Sequence, residues 1–322
     1  MNRPPADPSV VEPGAIPLML GFSAIYLLWG STYLAIRFAI ETLPPFLMAG
    51  TRFLVAGVAL FIWARSRGVG LPDRTQVRDA AIVGVLLLLL GNGGVVWAEQ
   101  WVPSGLAALI VATVPLWMVA LDWLWNGAAR PPLGVWAALL VGLGGVGLLT
   151  GTAAIGDAGR QGLIGAGVIV FSAFAWSVGS IYSKRVKMPA APRMATAIQM
   201  TAGGCALLLT GTVLGEWGRF DPGSVSLRSA LALLYLIVAG SLVAFSAYIW
   251  LLQVTTPARV STYAYVNPVV ALFLGWLLAD EPVGPLTFAA AGLILASVMA
   301  LSLLASPRRT AVAIPPARDT SP

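Results

Sequence analysis

The sequence contains no histidine, one cysteine (Cys205) and only 10% charged residues across 322 positions. The first absence removes imidazole metal ligands and histidine proton relays. The second excludes an internal disulfide, leaving Cys205 as a small packing residue within an apolar run. The third excludes a water-facing surface, because soluble domains carry about 25% charged residues. Hydrophobic residues make up 58% of the chain. Its solvent must be lipid.

A hydrocarbon core about 30 Å thick takes roughly 20 apolar helical residues per crossing. Nearly uncharged windows of that length recur at about 16–37, 46–64, 80–98, 103–122, 132–151, 162–183, 194–214, 229–251, 258–279 and 284–305. The expected fold class is therefore an all-α membrane protein with ten transmembrane helices. The second window is the weakest, since Arg52 interrupts it. The polar, proline-rich residues 1–15 differ from a cleavable signal peptide, and they and 306–322 are expected to be disordered cytoplasmic ends.

The net charge of +6 has a topological explanation. With the N-terminus cytoplasmic, fourteen Lys and Arg fall on the cytoplasmic side, among them Arg65, Arg67, Arg74, Arg78, Arg130, Lys184 and Arg259. At most five fall opposite: Arg37, Arg52, Arg160, Arg219 and Arg228. The loops are short and carry no interleaved stacking aromatics, so the basic balance implies no nucleic-acid partner.

An internal repeat emerges when Trp97 is aligned with Trp250. Gln100 then meets Gln253, Pro115 meets Pro268, and Trp123 meets Trp276. Residues 16–155 and 160–305 are expected to form two five-helix repeats. Five is odd, so the second repeat enters the membrane inverted, an arrangement typical of carriers with a site between their halves. The prolines remove helical hydrogen bonds and free carbonyls, which a packing kink or a polar cavity would satisfy.

The segments "LWGSTYLAIRFAIETLPPFLMAGTRFLVAG", "GNGGVVWAEQWVPSGLAALIVATVPLW", "STYAYVNPVVALFLGWLLADEP" and "AAGLILAS" resemble the drug/metabolite transporter superfamily, EamA family, in its bacterial inner-membrane members. The resemblance spans about Pro17 to Leu304. It implies ten helices as two inverted repeats around a central cavity, and export of a small metabolite, amino acid or toxic compound. It names no substrate and no cofactor.

Helical spacing selects candidate substrate-binding residues, since residues four apart share a face. Trp29, Tyr33 and Arg37 form one stripe; Trp176, Ser180 and Lys184 a second; Arg259, Tyr263 and Asn267 a third. Asn92, with Glu99 on its face and Trp97 beside it, and Tyr248 complete the set. Asn267, directly before Pro268, is the strongest candidate, although a buried amide also serves as interhelical glue. Trp97 and other tryptophans also suit an interfacial belt. Arg52 and Glu99 are the charges most plausibly inside the membrane. They are read either as an ion pair closing an outer gate or as side chains snorkelling to the surface. Asp280 and Glu281 are read as loop residues that help begin the tenth helix.

"GLGGVG", Gly142 to Gly147, satisfies G-x-G-x-x-G but lies inside an apolar span with no preceding strand, so it reads as close helix packing. A membrane-embedded enzyme would need a nucleophile–base pair or metal cluster at depth, and no H-E-x-x-H or G-x-S-x-G is present. A channel remains a further alternative, which a symmetric oligomer with a lined pore would favour. The leading expectation is a secondary carrier of a small solute in the bacterial inner membrane, with no catalytic residues and no metal.

Overall fold

A computed structural model describes residues 14–126, 132–150, 159–255, 260 and 262–305. Arg3, Arg130, Pro257, Arg259 and both terminal segments lie outside the described residues. Among the described residues the chain is helical, with no strand. We label the apolar helices α1 (Ala15–Ala39), α2 (Pro45–Ser66), α3 (Arg74–Ala98), α4 (Ser104–Trp125), α5 (Leu133–Thr150), α6 (Gly159–Ser183), α7 (Pro192–Val213), α8 (Leu227–Val254), α9 (Tyr263–Ala279) and α10 (Pro285–Ala305). Seven of them, α1–α4 and α6–α8, are long and apolar enough to cross a membrane. Large apolar side chains such as Leu20, Leu209, Val213 and Leu227 point outward, as expected where the surrounding solvent is lipid.

Local chemistry sets several ends. Asp73 and Gln76 form a reciprocal capping box that starts α3 six residues earlier than hydropathy alone indicates. Proline sits at the start of α2 and α7, where its missing N–H costs nothing. Pro115 acts differently. It lacks an N–H and its ring crowds the carbonyl one turn back, so α4 breaks into Ser104–Val111 and Val114–Asn126. Thr113 bridges the break, its Oγ1 donating to the Ile110 carbonyl at 2.7 Å. Pro268, its sequence counterpart, lies within an uninterrupted α9.

Two carboxylates tie helix ends across long sequence separations. Glu216 accepts the main-chain N–H groups of Phe46 (3.2 Å) and Leu47 (2.9 Å) at the start of α2. Glu281 accepts those of Ser104 (2.8 Å) and Gly105 (3.1 Å) at the start of α4. These N–H groups have no intrahelical partner, and the positive helix terminus favours the anion. Glu281 thus serves α4 rather than beginning the tenth helix, which starts at Pro285. Asp280 ends α9 in the left-handed conformation, φ 52°.

The main contacts run between the chain's two halves: α2 against α7, α3 against α6 and α7, α5 against α10, α1 against α8 and α9, and α4 against α6 and α9. Gly142 shows how close these approaches are, because a Cβ there would lie 2.6 Å from Ser297 Oγ on α10. Gly145 packs on the same helix, a Cβ there lying 2.8 Å from Ile294, whereas Gly144 has open space beside it.

Three helices contain π-helical stretches: Ala24–Leu28 in α1, Val85–Gly93 in α3 and Leu236–Phe245 in α8. Such stretches widen the helix and redirect main-chain carbonyls, and they concentrate at functional sites. The stretches in α3 and α8 fall at corresponding positions when Trp97 is aligned with Trp250.

Candidate functional site

The centre of the bundle holds a cavity of about 640 Å³ of unfilled space, mouth included. Its wall combines α1, α2, α3, α4, α6, α8 and α9, each half of the chain contributing. Six expected site residues line it: Trp29, Tyr33, Asn92, Trp176, Tyr263 and Asn267. Arg52 lines it too.

The aromatic part is a closed cluster. Trp29 stands edge-on to Trp176 (centroids 5.5 Å) and to Tyr263 (5.4 Å), and tilts against Tyr248 at 5.0 Å. Phe245, which helical spacing did not single out, joins Trp29 at 6.5 Å and Trp176 at 6.2 Å. These edge-to-face geometries suit the ring quadrupoles. The π stretch of α8 anchors the wall, because Trp29 Nε1 donates to the Gly240 carbonyl at 3.1 Å. The next residue, Ser241, accepts Arg52 Nε at 2.7 Å.

Ser180 and Tyr248 lie behind the wall rather than on it, both fully buried. Tyr248 Oη is 2.7 Å from Ser180 Oγ and accepts Trp176 Nε1 at 3.0 Å. One turn further along, towards the C-terminal ends of α6 and α8, a second and more open cavity has about 780 Å³ of unfilled space, mouth included. Ser183, Lys184, Ile249, Leu252 and Gln253 are among its lining residues. Lys184 Nζ donates to the Thr255 carbonyl at 3.1 Å, and burial pulls its ammonium below the ordinary lysine pKa. Along α6 and α8, Ser180 and Tyr248 fall between residues that line the first cavity (Trp176, Phe245) and residues that line the second (Ser183, Ile249, Leu252).

Asn267 is 3% exposed. With its amide oriented to satisfy its neighbours, the nitrogen donates to the carbonyls of Tyr26 (2.9 Å) and Ile25 (3.0 Å) in the π stretch of α1, and to Tyr263 (3.3 Å). Its N–H groups are committed to tethering α9 to α1. Trp97 does not line the cavity. Five residues beyond Asn92 it is rotated about 140° around α3, and it packs against Trp101 at 4.7 Å.

Arg52 and Glu99 are not paired. Nη1 of Arg52 and both carboxylate oxygens of Glu99 lack hydrogen-bond partners. Neither side chain snorkels, since Arg52 is 2% and Glu99 0% exposed. Arg52 is held by Ser241 and by stacking over Phe53 at 4.6 Å, whereas it is the main-chain carbonyl of Glu99, not its side chain, that accepts Arg37 Nη1 at 2.8 Å. Two further cavity residues carry polar atoms without partners, Asn92 Oδ1 and Ser172 Oγ. The spacing argument missed Phe53, Thr32, Ser172 and Phe245. They sit among ordinary apolar or small-residue runs, where sequence carries no signal of a cavity.

An aromatic, largely apolar cavity with a few unmet polar groups has the lining typical of small-molecule pockets. The comparisons agree with a transport setting. A model of the EamA-like transporter family matches the chain twice, over residues 16–151 and 163–303. The inner membrane transporter YedA of Escherichia coli is 39% identical over 289 residues, covering 89% of this chain and 91% of that protein. The transporter YvbV of Bacillus subtilis is 26% identical, covering 82% of this chain and 84% of its own. A solved crystal structure superposes with a TM-score of 0.64 at 22% identity, covering 90% of this chain and 98% of the other, and bears on the fold. Apolar helices of membrane-spanning length and a family match over both halves converge: the chain belongs to the EamA-like transporter family and is a membrane transporter, not an enzyme.

Proposed function

We propose that the protein is a secondary carrier that exports a small organic metabolite, amino acid or drug-like solute across the bacterial inner membrane by alternating access. In this reading all ten apolar helices cross the bilayer as two inverted repeats, 16–155 and 160–305, with both termini cytoplasmic. The helix contacts support it. A twofold relation exchanging each helix with the one five later maps α2–α7, α4–α9 and α5–α10 onto themselves and exchanges α1–α8 with α3–α6, α3–α7 with α2–α8, and α4–α6 with α1–α9, and all of these pairs pack. Inverted repeats give a carrier two related conformations around one central site.

The observation that carries the proposal is the bonded pair Ser180–Tyr248, held by Trp176, which falls along α6 and α8 between the residues lining one cavity and those lining the other. The solute binds in the first cavity against Trp29, Tyr33, Asn92, Trp176 and Tyr263. The Tyr248 cluster closes the path to the second. Opening it while the opposite end closes moves the solute across, and a side chain plug of this kind is inconsistent with a standing open pore. Asn267 acts as the tether that keeps α9 registered on α1. Trp97, near the end of α3, belongs to the outer rim.

Purified protein in liposomes should show saturable, counterflow-stimulated uptake of a solute identified by comparing metabolites in the medium of overexpressing and deleted cells. Conductance without saturation would favour a channel, and turnover of a lipid in detergent would favour an enzyme.

A further inference from the structure

The aromatic wall poses a question of charge. Trp29, Trp176, Tyr263 and Phe245 together offer ring faces of the kind that attract organic cations. Arg52 argues the reverse. Among the cavity's lining residues it is the one with a charged side chain, and no Asp or Glu joins it there. A guanidinium is protonated at any physiological pH, so the wall carries a fixed positive charge next to the rings.

That charge is built in. Arg52 is 2% exposed, its Nε is held by Ser241 Oγ at 2.7 Å, and its carbon sits 4.6 Å over Phe53. Gly240 makes room for it, since a Cβ there would lie 2.6 Å from Nη2. With Nε fixed, Nη1 is left without an acceptor. The nearest anion, Glu99, does not supply one: its oxygens are likewise unpartnered, and Glu281 beyond it is spent on the α4 N-terminus. A buried guanidinium nitrogen without an acceptor is strongly unfavourable, and a carboxylate matches its fork geometry.

We infer that the cavity selects organic anions: a carboxylate seated on Arg52 and an apolar or aromatic body against Trp29, Trp176 and Phe245. Asn92 Oδ1 and Ser172 Oγ, both unmet on the same wall, receive a hydrogen-bond donor on that body where one is present. This rests on the carrier reading for the location of the site, but the charge preference is a property of equilibrium binding and is tested apart from transport.

The experiment uses the full chain in nanodiscs and three probes that share a phenylpropyl frame: 3-phenylpropanoate, the neutral 3-phenylpropanamide and the cationic 3-phenylpropylamine. Equilibrium binding of radiolabelled 3-phenylpropanoate is measured and challenged with the other two up to millimolar concentration. The expected result is at least tenfold weaker competition by the amide and by the amine. Arg52→Gln should erase that preference, whereas Arg52→Lys should retain part of it and Glu99→Gln should leave it intact or strengthen it. Equal competition by all three, stronger competition by the amine, or no displaceable binding overturns the inference, and the native protein alone decides this should Arg52→Gln fail to fold. Saturable counterflow with no anion preference would sink the inference and spare the carrier. An anion preference without counterflow would do the opposite.

Discussion

Arg52 of α2 and Ser241 of α8 meet at 2.7 Å, Nε to Oγ, both almost fully buried. The bond joins the first half of the chain to the π stretch of the second, and it turns a guanidinium away from lipid towards the central cavity. A charged residue in the second apolar window, read from sequence as the weakness of that window, is a fixed part of the cavity wall.

Ser241→Ala should therefore destabilise the protein by about 2 kcal/mol, the range of a hydrogen bond to a charged group. Ser246→Ala, which removes a buried hydroxyl without a partner, should leave stability unchanged or raise it. Thermal denaturation of the two variants in one detergent makes the comparison.

Gly240→Ala tests the room beside that bond. A Cβ would sit 2.6 Å from Arg52 Nη2 and 2.9 Å from Thr32 Cγ2, so overpacking by about 1–3 kcal/mol is expected. The melting temperature should fall, and shortening the neighbour in the double variant Gly240→Ala, Thr32→Ser should recover part of the loss.

The acidic ties at Glu216 and Glu281 predict matched effects. Glu→Gln at either position removes the charge and one of the two acceptor oxygens, so one main-chain N–H loses its partner, at a cost of about 1 kcal/mol. Glu→Ala leaves two main-chain N–H groups unmet and should cost more, about 1–3 kcal/mol. The ordering Ala below Gln below native, read as melting temperature, is the check. If Glu281→Ala melted with the native protein, the tie at Ser104 and Gly105 would contribute nothing.

Asn267→Ala removes the amide that donates to Ile25, Tyr26 and Tyr263. An interhelical bond of this type is worth about 0.6 kcal/mol and up to about 1.7. Transport activity should fall in proportion to the amount of folded protein. A loss of flux with unchanged folded protein and unchanged melting would instead make Asn267 a direct solute contact.

Apolar windows located the helices well because burial in lipid leaves a long-wavelength mark on composition; Gly159–Ser183 was expected at 162–183 and Pro192–Val213 at 194–214. Helical spacing found Trp29, Tyr33, Asn92, Trp176 and Tyr263 because each shares a face with other polar or aromatic groups. It missed contacts whose partner is remote in sequence. Glu216 meets Leu47 and Glu281 meets Ser104 across 169 and 177 positions, and neither carboxylate announces its helix terminus. The π stretches also leave no trace in an apolar run, yet they bring the Gly240 carbonyl to Trp29. Helical spacing likewise placed Ser180 and Tyr248 at the wall, where tertiary packing sets them one layer behind.

The plug between the two cavities is the central claim, and thiol accessibility measures it directly. In a Cys205→Ser background, a cysteine at Asn92 reports the first cavity. With the native plug, a membrane-impermeant thiol reagent should label it from the face opposite the α6 C-terminus and scarcely from the α6 C-terminal face. Tyr248→Phe, which removes both side-chain bonds to Oη, should raise labelling from the α6 C-terminal face severalfold. Equal labelling from both faces in the native protein, or no response to Tyr248→Phe, would contradict the account.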